Sequence, residues 1–437
     1  MSKSNNQPLS DRLTVHPRLD ELYGELHSRP SQLLDVPLRA SHVAMISTQD
    51  EIAESREHLA RLAKRYSTSA PPPETSFYHQ SFGGFDLRWE KHTEFYSLTI
   101  FSSGVGKQPF ENPAFDLLPQ DWVNGLPGCL VAATHAAMLG VDSPEPTDED
   151  LRLWFEGQLV VGSNITSNRA AAWTTFRRHR DGFCRYLVLD KGLSPFQAGR
   201  TLQRLLELET YRVMSLLSLP AARRLAAETT HLDGELAEIM DRFMLSDSLE
   251  DERSLLADLS AIAATVERHR SSTNYRFGAT RAYYRLVDEI LSDLREKRFS
   301  GRSSMAKFLE RRFGPGVRTC FAMQDRLEDL SRRVGRAGEL LQARINVAIE
   351  TQNQSLLETM NRRSGMQLRL QQTVEGLSVA AISYYSVALL KILFDSLAEL
   401  GVPIRPELAT GIALPAVIGT IWYLVRRIRH RISPELG

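Results

Sequence analysis

Apolar and polar positions change rhythm three times along this 437-residue chain. Up to about residue 190 the apolar residues come in short runs. Phe85, Leu87 and Trp89 alternate with Asp86, Arg88 and Glu90, a period of two that predicts a strand with one face covered. Glu94–Phe101 (EFYSLTIF) is β-branched and aromatic, as strands prefer. His42–Ser47, Cys129–Ala133, Gln158–Ser163, Ala172–Phe176 and Cys184–Leu189 are further strands by the same criteria. Helices are predicted at His16–Leu26, at about Asp50–Tyr66 and at Asp148–Phe155, with Pro71-Pro72-Pro73 as a clear break. Residues 1–15 read as a disordered tail and 16–193 as one mixed α/β domain without a clean βαβ repeat.

The rhythm changes at Ser194-Pro195, an N-cap followed by proline at the first helical position. Helices are then expected at Phe196–Leu217, Ala221–Met244, Leu249–Arg270 and Arg281–Arg298, an antiparallel segment over 194–316. After Gly314-Pro315-Gly316 no proline occurs before Pro403. Leu327, Leu330, Val334, Ala337, Leu341, Ile345 and Ala348 follow three-and-four spacing, the mark of a helix in coiled-coil contact. One stalk helix over 317–375 is the reading taken; breaks at Gly335–Gly338 or Ser364-Gly365 would give shorter helices instead.

The third change is to long apolar runs. Residues 376–394 hold GLSVAAISYYSVALL and then Lys391 ahead of Ile392-Leu393-Phe394. At about 19 residues this spans a hydrocarbon core of roughly 30 Å, with Lys391 able to reach the interface. Residues 409–425 (ATGIALPAVIGTIWYLV) form a shorter second span, kinked at Pro415. Buried core helices would pass the same length test, but the flanks argue for membrane. Arg362, Arg363 and Arg369 precede the first span; Arg426, Arg427, Arg429 and Arg431 follow the second. The connection 395–408 carries Asp395, Glu399 and Glu407 against Arg405. Positive flanks at both outer ends place both termini on the cytosolic side, residues 426–437 forming a basic tail.

Composition adds limits. Lysine and arginine equal aspartate and glutamate at 53 each, and mean hydropathy is -0.26. No electrostatic footprint for nucleic acid follows, and no nucleic-acid partner is expected. Cys129, Cys184 and Cys320 have no paired spacing, which fits a reducing compartment and neither a disulfide framework nor a zinc site. The polar N-terminus lacks the apolar core of a signal peptide.

No catalytic constellation emerges. Ser103–Lys107 (SGVGK) lacks the first glycine of a phosphate loop, and Gln108 stands where that loop has a hydroxyl. Ser304 and Lys307 match a serine–lysine nucleophile spacing, but Ser304 reads better as an N-cap. Gly162-Ser163 belongs to no nucleophile elbow. Eight of eleven histidines precede residue 190, none at a paired metal spacing. RWEKHTE (88–94) reads as a solvated or salt-bridged sheet face. Arg276, Arg281 and Arg285 read as helix-face charges above packed tyrosines. The expectation is a non-enzyme with no metal site and no assignable cofactor.

HPRLDELYGELHSRP, RWEKHTEF, DGFCRYLVLDKGLSPFQAGRTLQRLLELETYR, NYRFGATRAYY and LRLQQTVEGLSVAAISYYSVALL together resemble a bacterial family of membrane-anchored proteins, domain of unknown function 3422. The likeness runs from about His16 to Arg429. It implies anchoring in the bacterial cytoplasmic membrane and carries no activity and no functional residue. The overall plan is also similar to that of the CorA-type divalent-cation transporters, in which a stalk helix runs into a pore-lining first span of an oligomer. That likeness implies a homo-oligomer and makes Glu375, Ser378, Ser383, Ser386 and Lys391 the candidate pore or membrane-mouth residues. The Gly-Met-Asn signature of those transporters is absent from Ile392–Gly401 (ILFDSLAELG). Two functions compete. One is a membrane-tethered scaffold or sensor whose helices bind a protein partner; the other is a CorA-like channel.

Overall fold

The computed structural model describes residues 13–14, 16–19, 32–73, 75–299, 301–400 and 403–432. The N-terminal tail and most of the helix expected at His16–Leu26 lie outside them. The fold is α+β: a nine-stranded mixed sheet with its helices, followed by long helices. The chain divides into two units, Met1–Leu245 with Ala257–Gly338 and Ser246–Leu256 with Glu339–Gly437.

In the first unit the strands are β1 (Leu38–Ile46), β2 (Phe77–Ser81), β3 (Asp86–Lys91), β4 (Phe95–Ser103), β5 (Cys129–Leu139), β6 (Val161–Ile165), β7 (Ala170–Thr174), β8 (Cys184–Asp190) and β9 (Lys297–Arg298). Their order is β2-β3-β4-β1-β5-β8-β7-β6-β9, and every pairing is antiparallel except β5 with β8. β1 lies inside the sheet and is buried along almost its whole length, including its polar residues Ser41 and His42. β2 and β9 escape sequence reading for a physical reason. FYHQS is half polar because β2 lies at an edge, and β9 is two exposed cations held only by β6.

One face is covered by α1 (Gln49–Arg65), which packs Leu59 and Leu62 onto Leu87, Trp89, Tyr96 and Leu98. Thr48 starts this helix with a capping box closed by Glu51. Two short helices follow, α2 (Gln120–Val123) and α3 (Asp148–Trp154). The other face receives α4 (Pro195–Ser215), capped by Ser194 and Gln197, whose Leu202, Leu205 and Leu206 meet Ala40, Phe101, Ala136 and Tyr186.

Next come α5 (Leu219–Leu245), α6 (Leu249–Asp293), α7 (Met305–Arg312) and α8 (Gly314–Glu399). The split expected in α6 between Arg270 and Arg281 does not occur. Phe277 and Thr280 are buried there, and a side chain at Gly278 would meet open space, so packing on either side carries the helix through. Residues 297–298 leave the expected helix for the sheet edge. Ser304 accepts the Lys307 amide at 3.3 Å as the N-cap of α7. Within the first unit Ala222, Leu225, Phe277, Cys320, Met323 and Leu327 form the core shared by α5, α6 and α8. Asp233 takes Arg326 and Arg333 at its edge, and the two guanidinium groups hold its carboxyl below the usual range.

In the second unit α8 continues without a break past Ser364-Gly365 to Glu399. Its Leu341 and Ile345 are buried, as is Leu255, and Arg344 pairs with Glu252 at 2.6 Å. The last helix, α9, covers Pro406–Ile432 and includes Pro415. Because α8 ends at Glu399, the connection read as 395–408 shortens to residues 400–405.

Candidate functional site

In the sheet, strand pairing brings together side chains far apart in sequence. Ser41 and His135 are direct register partners on β1 and β5, and Ser41 Oγ lies 2.9 Å from His135 Nδ1. The Phe115 amide donates to the same oxygen at 3.0 Å, and the imidazole stacks on Phe183 at 3.8 Å between centroids. Burial pushes the His135 pKa down to about 4, against the opposing pull of Asp181. A serine beside a histidine is the start of nucleophile–base chemistry. Here Ser41 is 0 % exposed, His135 3 %, and the seryl oxygen already serves a backbone donor. The pair therefore acts as a polar tie across the sheet.

His42 is the neighbouring tie. Its Nδ1 is 2.8 Å from Thr99 Oγ1 and its Nε2 3.2 Å from Thr210 Oγ1, while the Thr210 hydroxyl donates to Leu206 O. That assigns Nε2–H as the donor toward Thr210 and leaves Nδ1 to accept from Thr99. Burial first, and then Arg88, push its pKa down to about 3, so the ring is neutral. Sequence alternation missed both ties because the partners come from other strands and from α4.

Arg88 and Glu90 correct the reading of RWEKHTE as a solvated face; its salt-bridged alternative holds. They are 4 % and 6 % exposed and pair at 3.1 Å, because β3 lies one strand in from the edge with both faces covered. Arg276 of NYRFGATRAYY binds Glu94 at 2.6 Å, and Tyr283 stacks on Tyr211. Arg281 lies 4.9 Å over the Phe321 ring. These are packing roles of α6 against α4, α8 and the turn before β4. Cys184 and Cys320 are buried and Cys129 exposed, all three free. Among the described residues no three His, Cys, Asp or Glu side chains come together as a metal-holding group.

The apolar helices are the other candidate. The ends of α8 and α9 are each long and apolar enough to cross a membrane, and only 6 % and 0 % of their most apolar windows are buried. A core helix would be covered. Residues 400–405 lie between the two helices in the chain. Between residues 375 and 394 of α8 the less exposed positions are Glu375, Val379, Ser383, Ser386, Val387, Ala388, Leu390 and Phe394; between 409 and 425 of α9 they are Ala409, Thr410, Ala413, Val417, Ile421 and Val425. Both sets recur mostly every three or four residues, so each lies mainly on one face of its helix.

The five candidate pore residues separate on this geometry. Glu375, Ser383 and Ser386 share the covered stripe; Ser378 and Lys391 lie off it and are exposed. Ser378 donates to Val374 O at 2.9 Å, returning its hydroxyl to its own helix. Ser383 Oγ is enclosed without a hydrogen-bond partner. Arg362 pairs with Glu358 at 3.3 Å, and Arg363 and Arg369 are exposed. Arg426 lies 5.0 Å over the Trp422 ring and Arg427 is exposed, with Arg429 and Arg431 in the last turns of the same helix.

A second feature of α8 escapes the sequence reading, which follows the apolar spacing only to Ala348. Glu350–Val374, 25 residues, are exposed on every side of the helix, including Leu356, Met360, Met366 and Leu370. The signal that finds it is a seven-residue recurrence of apolar residues at Ile349, Leu356, Leu370 and Leu377, with Arg363 in the middle position.

No curated protein and no solved structure matches the chain. The sequence profile of one family, proteins of unknown function DUF3422, matches residues 14–432, nearly the full length, and the chain belongs to that family.

Proposed function

We propose that this is an integral protein of the bacterial cytoplasmic membrane, held by the α8–α9 hairpin with both termini cytosolic. Its cytosolic part acts as a tethered scaffold or sensor without enzymatic activity. The observation that carries the reading is the exposure of two apolar helices that only lipid of hydrocarbon thickness would cover. The arginines outside each span, against Asp395 and Glu407 between them, support the orientation. The test is cysteine accessibility in intact cells with Cys129→Ser as background. Asp395→Cys should react with an impermeant maleimide and Arg363→Cys only after lysis; the reverse pattern, or release of the protein by alkaline carbonate, ends the reading. Hydrolase screening of the full chain tests the non-enzymatic part, and reproducible turnover abolished by a point substitution refutes it.

The continuity of α8 through residue 376 supports a second reading, a CorA-like channel in which a pore-lining helix extends from the cytosol. It is weakened by the separation of Ser378 and Lys391 from the stripe of Glu375, Ser383 and Ser386. Reconstituted vesicles that conduct cations, and lose conduction in Glu375→Gln, would favour the channel over the scaffold.

A further inference from the structure

We propose that residues 349–377 of α8 form a parallel, in-register, two-stranded coiled coil with a second copy of this chain, an interface that rests on the membrane-anchor reading. The seam has Ile349, Leu356, Arg363, Leu370 and Leu377 at the first core position of each heptad. Gln352, Thr359, Met366 and Thr373 take the second. Leu356 is 56 % exposed, Met366 67 %, Leu370 70 % and Leu377 74 %. A solitary helix of this length is marginal in water, and its stability normally comes from packing a covered face. None of the described residues buries this one.

Three features select a copy of the same chain over a different partner. First, a hairpin anchor of fixed orientation sets every copy parallel at the same depth, so residue 377 of one helix meets residue 377 of another without any search for register. Second, the positions flanking the seam avoid like-charge pairs. In a parallel dimer Arg362 would face Gln367 of the second copy and Arg369 would face Val374, while Arg362 is already neutralised by Glu358 of its own turn. Third, the seven-residue register continues without insertion on both sides of Arg363, and a seven-residue period winds two identical helices around one another with a left-handed supercoil.

Arg363 sets the number of strands. In a two-stranded coil each guanidinium can bend along its apolar stem to water, whereas a larger bundle would enclose them. It also weakens the pairing, as a polar residue at one core position does while fixing register.

The test uses the full-length chain in native membranes, in a Cys129→Ser background, with single cysteines and a mild oxidant. Thr359→Cys, at the seam, should give a disulfide-linked dimer in at least about tenfold higher yield than Asn361→Cys, two residues away on the outer face. Adding Arg363→Leu to Thr359→Cys should raise the yield further. Equal yields at the two sites, no dimer from Thr359→Cys, or a fall on adding Arg363→Leu each overturn the proposal. Carbonate extraction of the same membranes separates the two claims. Release of the chain refutes the anchor, whereas retention with no seam-specific cross-link refutes the coiled coil alone.

Discussion

Buried His42 makes the first unit sensitive to mild acid. The ring is neutral in the folded chain, with a pKa pushed down to about 3 by burial and Arg88; a histidine in an unfolded chain titrates near 6.5. Between those values the unfolded state binds a proton that the folded state refuses, so stability rises with pH over that interval and is lost as pH falls through 6.5. At pH 5 the difference for this one residue is about 2 kcal/mol relative to pH 7.5. The perturbation is His42→Gln, whose amide can still bridge Thr99 and Thr210 but cannot titrate. The assay is urea unfolding of the full chain in detergent, followed by tryptophan emission. Trp89 is fully buried on β3 and Trp173 nearly so on β7, so both report on the sheet. The parent chain and His42→Gln should each lose stability between pH 7.5 and 5, because His135 is displaced in the same direction. The loss in the variant should be smaller by about 2 kcal/mol. Equal losses would mean that the ring is protonated in the folded state, and the hydrogen-bond assignment to Thr99 and Thr210 would be wrong.

Other substitutions probe other layers. Gly199→Ala places a methyl group 1.8 Å from Gln32 O, so the segment entering β1 must leave α4, and proteolysis near residue 32 should accelerate without loss of the sheet. Ser383→Ala removes an enclosed hydroxyl without a partner and should stabilise the α8–α9 pair by about 1 kcal/mol, read from thermal unfolding of that pair in detergent. Leu202→Ala on α4 empties a fully buried site and should cost about 2–5 kcal/mol in the same urea assay, whereas Leu153→Ala, at 62 % exposure, should change little.

How much of this was legible beforehand depended on whether the deciding interaction was local. Ser194-Pro195 and Ser304 are local signals, and both mark helix starts in the structure. Seven strands were visible in alternation or β-branched content because their own side chains meet a core. β9 was not, since two exposed cations become a strand only when β6 supplies the partner. Arg88 and Glu90 looked solvated because charge alternation reports polarity, and what buries them is α4, more than a hundred residues away. The same distance hid Ser41 with His135. At the C-terminus, length and apolarity announced the two helices, yet which of the serines share a stripe required the observed face of α8.

The sheet is finished from outside its own stretch of chain. β9 closes its far edge against β6, and Val287, Ile290, Leu294, Met305 and Leu309 fill the core beneath it. A nascent chain that has emerged only as far as β8 therefore carries an open edge at β6. About 110 further residues must be made before that edge is closed, on the order of ten seconds of synthesis. During that interval the protein is most exposed to edge-to-edge association. The two long apolar helices are made later still, so the sheet is complete before either of them leaves the ribosome.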